Sequence, residues 1–278
     1  MKTSGADAPS DSSVLQWRSV RLLDVRVDNI AGDQLLRAIE HFILEKRKVI
    51  IANVNIQAMN LACQDRWFRD FLNQSEIDFC DGSGVKFAAK LIGRPIQYRI
   101  TYAEWVWDLA QYCERHHISL FLLGGRPGVA EKAASQLEQQ YPALRIAGIH
   151  HGHFEKRPGS PENARVIEEI NAAKPDVLII GLGMPLQEGW LAQNWDRIDA
   201  MVALPAGAVF DYVSGELRRA PRWMTENGLE WLGRLLIEPR RLWRRYLLGN
   251  PLFFWRVFIH DVVGRPLPGS EAGIGAGT

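Results

Sequence analysis

The residues best suited to chemistry fall at the ends of short apolar runs. Asp81 closes one such run and is followed by Gly82-Ser83-Gly84. A carboxylate there can take a proton from an attacking hydroxyl or cap the helix that follows, and the local sequence leaves both roles open. Leu123-Gly124-Gly125-Arg126-Pro127-Gly128-Val129-Ala130 leaves a second run and opens a helical pattern. Its glycines let backbone N–H groups and a helix N-terminus approach a phosphate, although an ordinary strand-to-helix turn reads the same. Gly181-Leu182-Gly183-Met184-Pro185-Leu186-Gln187-Glu188 makes a third such junction. Gln187 and Glu188 in a first helical turn would face whatever lies above the sheet, with capping by Glu188 as the plain alternative. Asn53 and Asn55 end a fourth run. Two glycine-rich turns on one sheet edge favour a nucleotide over a lone phosphate.

A second concentration of chemistry lies near the C-terminus. Between Arg218 and Arg256 stand nine arginines, three acids, no lysine and four of the ten tryptophans, in a chain whose formal net charge is only +1. Guanidinium groups pair with phosphate through a planar fork, and tryptophan suits a membrane interface. Arg234, Arg241 and Arg244 are spaced to share a broad helical face, with Pro239 marking a break. A helical cap with solvated arginines is the alternative. Nucleic acid is disfavoured, because lysine and any nucleic-acid motif are missing here.

The elements that must position these groups alternate in type. Strand-length runs cover Val49–Ala52, Ile77–Cys80, Leu120–Leu123, Ile146–Ile149, Val177–Ile180 and Met201–Leu204. Amphipathic stretches lie between them, at Asn55–Asn73, Gly84–Leu91, Ala103–His116, Val129–Gln140, Glu162–Ala173 and Leu186–Trp195. This alternation predicts an α/β fold, a mostly parallel sheet with helices on both faces. Ligands of such sheets bind outside the carboxyl ends of the strands, where the groups above converge.

Composition narrows the class. At 278 residues, 47% hydrophobic and 23% charged, the chain can bury a substantial core. The first residues lack an apolar signal region. Leu247–Ile259 is too short and too broken by Gly249, Asn250, Pro251 and Arg256 to span a bilayer. Three cysteines without metal-ligand spacing fit a reducing cytoplasm. His150-His151-Gly152-His153 lacks a completed ligand set and reads as a polar loop, so no metal and no cofactor are expected. A nicotinamide site is disfavoured, since Gly-Gly-x-x-Gly is not the dinucleotide fingerprint and no ribose-binding acid follows the next strand.

Taken in order, Asn53-Val-Asn55, Asp81-Gly-Ser-Gly-Val, Arg99-Ile-Thr, the Leu123–Ala130 loop, Lys174-Pro-Asp-Val-Leu, the Gly181–Glu188 turn, Arg219-Ala-Pro-Arg-Trp, Gly228-Leu-Glu-Trp-Leu-Gly-Arg-Leu and Glu238-Pro-Arg-Arg-Leu-Trp-Arg-Arg-Tyr resemble the WecG/TagA/CpsF glycosyltransferases over residues 18 to 258. The resemblance implies a Rossmann-like core with a C-terminal helical appendage that docks on the membrane. It implies an inverting, metal-independent enzyme that moves a sugar from a UDP-sugar to a polyprenyl-diphosphate-linked glycan in cell-surface polysaccharide synthesis. By position, Asp81 corresponds to the base and Asn55 to the acceptor-side asparagine. Arg99 and Gln187 correspond to active-site polar contacts, and Arg234, Arg241 and Arg244 to appendage arginines. Asn53 joins Asn55 on the acceptor side, and Gly124, Gly125, Gly128, Gly181, Gly183 and Glu188 are expected around the nucleotide.

Three departures bear on the sugar: Asn53-Val-Asn55-Ile-Gln57, Cys80 before Asp81, and Tyr102-Ala-Glu104 after Thr101. They bring the chain nearer the exopolysaccharide branch with its xanthan-type β-glucosyltransferases, so UDP-glucose is narrowly preferred. N-acetylmannosamine or N-acetylmannosaminuronic acid is the alternative donor sugar, and a non-catalytic scaffold binding nucleotide and lipid is a remote one. The expected organisation is a flexible 1–17, a catalytic 18–215, an appendage 216–260 and a disordered 261–278. The expected location is the cytoplasm, peripherally on the anionic inner face of the plasma membrane, and a homo-oligomer stays open.

Overall fold

The computed structural model describes residues 15–267 except 219 and 227. Its centre is an 8-stranded sheet. The chain starts with a hairpin, β1 (Arg18–Leu22) and β2 (Val25–Asn29), then α1 (Gly32–Leu44), β3 (Val49–Val54), α2 (Ile56–Gln64), α3 (Arg66–Gln74), β4 (Ile77–Cys80), α4 (Ser83–Leu91) and α5 (Tyr102–Arg115). It continues through β5 (Leu120–Gly124), α6 (Val129–Gln140), β6 (Ile146–His150), α7 (Pro161–Ala173), β7 (Val177–Gly181), α8 (Leu186–Asn194), β8 (Val202–Pro205) and α9 (Val209–Val213). Four further α-helices close it: α10 (Arg222–Glu226), α11 (Glu230–Ile237), α12 (Pro239–Trp243) and α13 (Gly249–Val257).

The strand order is β1-β2-β4-β3-β8-β7-β5-β6. Only β1 runs against its neighbour; the other pairings are parallel. Side chains of a strand alternate between faces, and here both faces are covered. Leu120 and Leu122 pack with Ala130, Ala133 and Leu137 of α6, together with Leu109 of α5 and Phe42 of α1. Phe121 and Leu123 point the other way, toward Ile167 and Ile170 of α7, Trp190 of α8 and Phe253 of α13. The sheet is therefore the parallel α/β sheet that the alternation predicts. The six expected strands are found, Ile77–Cys80 with the same ends and the others with ends shifted by one or two residues.

Three features differ from expectation. The hairpin and α1 were not expected. The strands of that hairpin carry Arg18, Arg21, Arg26 and Asp28, so they lack an apolar run. Asn55–Asn73 is two helices, because Asp65 takes an extended conformation (φ −120°, ψ 111°) and serves both as the end of α2 and the start of α3. The termini are packed further out than composition indicates. Leu15 and Trp17 pack half-buried on the core, Asp261 accepts a hydrogen bond from the Leu23 N–H at 3.1 Å, and Leu267 is buried. Residues 1–14 and 268–278 lie outside the described part.

Gly124 and Gly181 hold adjacent strand ends together. A Cβ on Gly124, which sits at φ +149°, would stand 2.4 Å from the Gly181 carbonyl oxygen. Contacts that short force backbone to move. Gly124→Ala is therefore expected to lower the unfolding free energy by about 2–3 kcal/mol, measured by urea denaturation, and a change below a few tenths would refute this account.

Candidate active site

A cavity of about 1170 Å³ opens above the carboxyl ends of β3, β4 and β8, roomy by the standards of small-molecule sites. Asn53, the last residue but one of β3, donates from Nδ2 to the Pro205 carbonyl of β8 at 2.7 Å, tying two strand ends side by side. Asn55 caps α2, its Oδ1 accepting from the Gln57 and Ala58 N–H groups at 2.9 and 3.1 Å. Asp81 follows β4 directly and is fixed by its own N–H, which donates to the Val54 carbonyl. The N-cap of α4 is Gly82, with no side-chain cap, so Asp81 is not spent on capping. Its carboxylate lines the cavity.

The wall opposite belongs to the C-terminal helices. Arg234 of α11, Arg241 of α12 and Arg245 from the turn after α12 line the cavity, with Lys86, Lys90 and Arg99 from the core. Asp81 and Glu230 are the only acids on that lining, so six cations face two carboxylates. Arg99 Nη1 donates to Ser83 Oγ at 3.1 Å and lies 3.6 Å from Glu230 Oε2. The Arg234 guanidinium sits 5.6 Å from the Tyr212 ring centre, and its buried Nε has no hydrogen-bond partner among the described residues. Arg241 is clamped by Glu238, with Nε to Oε1 at 2.8 Å.

Burial pushes the Asp81 carboxyl up to about 7; Glu230 adds to the rise, while Arg99, Arg234 and Arg245 oppose it. Such a group can exchange a proton near neutral pH. Below it, Gln187 and Glu188 are buried side by side. Gln187 Oε1 accepts from the Gly183 and Gly207 N–H groups at 3.2 and 3.0 Å, joining two strand-end loops, and its Nε2 donates to Glu188 Oε1 at 2.8 Å. The other Glu188 oxygen lacks a partner among the described residues, and burial raises this carboxyl to about 7 as well. No side chain caps α8.

The expected site residues thus divide. Asn53, Asn55, Asp81, Arg99, Gly183, Gln187, Arg234 and Arg241 line the cavity. Gly124, Gly125, Gly128, Gly181 and Glu188 do not. Gly124 abuts the Gly181 backbone, Gly181 abuts the Phe210 ring and the Gly207 carbonyl, Gly125 abuts Val129, and Glu188 lies behind Gln187. Arg244 is also outside: it is exposed, 5.2 Å from the Trp243 ring centre. Its neighbour Arg245 takes the cavity position instead. With about 3.6 residues per turn, Arg245, eleven residues after Arg234 and four after Arg241, returns closer to their face than Arg244 does. The Arg-Arg doublet was the available signal. Ser83, Tyr102, Glu230 and Arg245 were not anticipated; Tyr102 lies buried on the cavity floor with Asn53 beside its hydroxyl.

The model of the glycosyl transferase WecG/TagA/CpsF family matches residues 20–266. The chain belongs to this family. Its relatives include proteins of Staphylococcus aureus strains COL and MW2, each named N-acetylglucosaminyldiphosphoundecaprenol N-acetyl-beta-D-mannosaminyltransferase. Each is 28% identical over 240 residues, covering 86% of this chain and 91% of its own. In this WecG/TagA/CpsF glycosyltransferase, six cations against two acids make the cavity basic.

The Asp81 carboxyl has a stability consequence with a definite sign. Its proton affinity is raised by folding, so the folded state holds more protons than the unfolded state between about pH 4 and 7. Stability from this group therefore falls as pH rises through that window. Asp81→Asn removes the loss and is expected to raise Tm near pH 8 by about 2–4 °C, the effect of ~1 kcal/mol in a chain of this size, with little change near pH 4. Calorimetry giving an equal or lower Tm near pH 8 would contradict the assignment.

Proposed function

We propose that this chain transfers an N-acetylmannosaminyl unit from a UDP-sugar to N-acetylglucosaminyl diphosphate polyprenol, with inversion at the anomeric carbon. The observation that carries the reading is Asp81, a partly desolvated carboxylate facing arginines of the C-terminal helices across one cavity. The activity of the S. aureus relatives supports the sugar and the acceptor. The earlier preference for UDP-glucose has no such support and gives way to the alternative.

In this reading Asp81 takes the proton of the acceptor hydroxyl as its oxygen attacks the anomeric carbon. The bond from that carbon to the UDP oxygen breaks, and its electron pair leaves with the β-phosphate. Arg99, Arg234 and Arg245 face the charge that develops there, a fixed electrostatic contribution made in a partly water-excluded site. Arg241 keeps a bidentate hold on Glu238 that aligns α12 beneath it. Gln187 acts as a brace for the Gly183 and Gly207 loops. The glycines around Gly124 and Gly181 would shape the strand ends beside the nucleotide through packing. Asn55 stays on the acceptor side, and Arg244 has no contact role.

Residues 216–260 act as the membrane-facing appendage in this proposal. No helix among the described residues is long and apolar enough to cross a membrane, yet the C-terminal helices expose Leu247, Leu248, Leu252, Trp255, Phe258, Val262 and Val263. Exposed apolar surface on this scale marks an interaction site, and tryptophan with arginine suits a lipid interface. Location at the cytoplasmic membrane face follows from the acceptor and is part of the same proposal.

Two tests follow. Purified enzyme offered a panel of UDP-sugars and lipid-diphosphate N-acetylglucosamine should use UDP-N-acetylmannosamine best, and Asp81→Asn should lower turnover by about two to four orders of magnitude. Exclusive use of UDP-glucose would refute the donor, and near-normal turnover of Asp81→Asn would refute the base. Separately, the double variant Trp255→Ser/Phe258→Ser should lose about tenfold or more in partitioning to phosphatidylglycerol vesicles, given the apolar area removed; unchanged co-sedimentation would rule out docking through this face.

A further inference from the structure

The cavity has two chemically different ends. At the inner end Asp81 is faced by Arg99, Arg234, Arg245 and Glu230. At the outer end α4 contributes Lys86, Phe87 and Lys90, and α13 with the turn before it contributes Leu247, Pro251 and Phe254. Lys86 and Lys90 are four apart on α4 and so lie on one side of it. The Lys86 ammonium is held at the rim by the Gln97 carbonyl at 2.5 Å, with two further donors left on that nitrogen.

The apolar part of this mouth is continuous across two elements. Phe87 is 54% exposed, and its ring meets Phe254 edge-on at 5.9 Å. Leu91, one turn further along α4, is 64% exposed. The surface then runs on to Leu247 and Trp255, both more than half exposed. A nucleoside diphosphate has no hydrocarbon chain to cover such a strip. Point-charge ammonium groups beside exposed aromatic and aliphatic surface match an amphiphile, an anionic phosphate head carrying an alkyl or prenyl tail.

We propose that Lys86, Lys90, Phe87, Leu247 and Phe254 form the subsite for the prenyl-diphosphate end of the acceptor, and that Arg99, Arg234 and Arg245 serve the nucleotide diphosphate. The proposal rests on the acceptor reading given above and extends it by dividing the cations between two diphosphates. The prenyl chain leaves along Phe87 and Phe254 toward the exposed face of α13. The sugar at the other end of the acceptor then lies inward, with its hydroxyl toward Asp81.

The test uses the full chain without membranes and a soluble N-acetylglucosaminyl diphosphate carrying one, two or three isoprene units. Lys86→Ala/Lys90→Ala is expected to raise the acceptor KM about tenfold or more, the loss of charge-assisted contacts, while the UDP Kd measured by calorimetry stays within about twofold. Phe87→Ala is expected to abolish the gain in affinity that wild type shows with each added isoprene unit. Arg245→Ala should do the reverse, weakening UDP about tenfold with a smaller effect on acceptor KM. Thermal melts and UDP binding check that the variants fold, and Lys90→Gln, an exposed single change, carries the test if the double variant does not.

Equal weakening of UDP and acceptor in the lysine variants would overturn the division. Unchanged acceptor KM with lost binding to phosphatidylglycerol vesicles would overturn it too, making the mouth a bilayer contact. Failure of wild type to use any prenyl-diphosphate sugar would instead refute the acceptor itself, an outcome separable from the other two.

Discussion

The site depends on placing one carboxylate where water is scarce and surrounding it with charge from a distant part of the chain. Asp81 costs free energy to ionise there, and so does Arg245, drawn into the same cleft, whereas the burial of Arg234 is outweighed by Tyr212, Tyr246, Glu230 and Asp81 around it. Burial lowers the proton affinity of Arg245, just as it raises that of Asp81. Charges removed from water are tolerated only when they compensate one another. Here the compensation is incomplete, with six cations against two acids and a buried Arg234 nitrogen without a partner among the described residues. An anion with several oxygens completes the set, so the electrostatics that strain the free protein are those that favour a diphosphate.

That arrangement requires the C-terminal helices to return to the sheet at a fixed angle. Asn60 of α2 is one fastening: it donates to the Gly249 carbonyl at 2.8 Å and accepts from Arg256 Nη1 at 2.8 Å, bracketing α13 at both ends. Phe253 inserts into the core beside this bridge, fully buried. Gly233 is another. A Cβ there would meet the Ala220 Cβ at 2.3 Å, so glycine lets α11 approach the segment before α10 and brings Arg234, the next residue, over the cavity. At the far end, Asp261 ties the chain to the β1–β2 turn through the Leu23 N–H, with Arg94 at 3.7 Å.

Much of this was legible in the chain, because burial on two faces leaves a simple mark. Runs such as Leu120–Leu123 and Val177–Ile180 could only be strands covered on both sides, and Asp81 and Asn53 ended such runs in chemically capable residues. The glycine turns were harder. Gly124 and Gly181 carry the signature expected of a phosphate loop, yet a glycine that lets two backbones touch is indistinguishable in sequence from one that lets a ligand approach. Arg244 and Arg245 differ by one position, and both stand within about one turn of Arg241, so the doublet alone does not separate them. Glu230 reaches Arg99 across more than a hundred residues, and a pairing at that separation leaves no local pattern. The β1–β2 hairpin escaped for the opposite reason, since its charged residues hide strands with only two apolar positions each.

The same helical run that carries arginines inward carries aromatic residues outward. Arg245 lines the cavity, while Trp255 and Phe258, ten and thirteen residues on, are exposed. One rigid segment cannot move its outer face without moving its inner one. Any surface that binds Trp255 and Phe258 in this arrangement therefore stabilises the position of Arg245 by the same free energy, as linkage requires. In the proposed docking on a membrane, contact and completion of the basic cleft are in that sense one equilibrium. With the bilayer-resident acceptor proposed above, the cationic wall is most firmly assembled where the acceptor diphosphate is found.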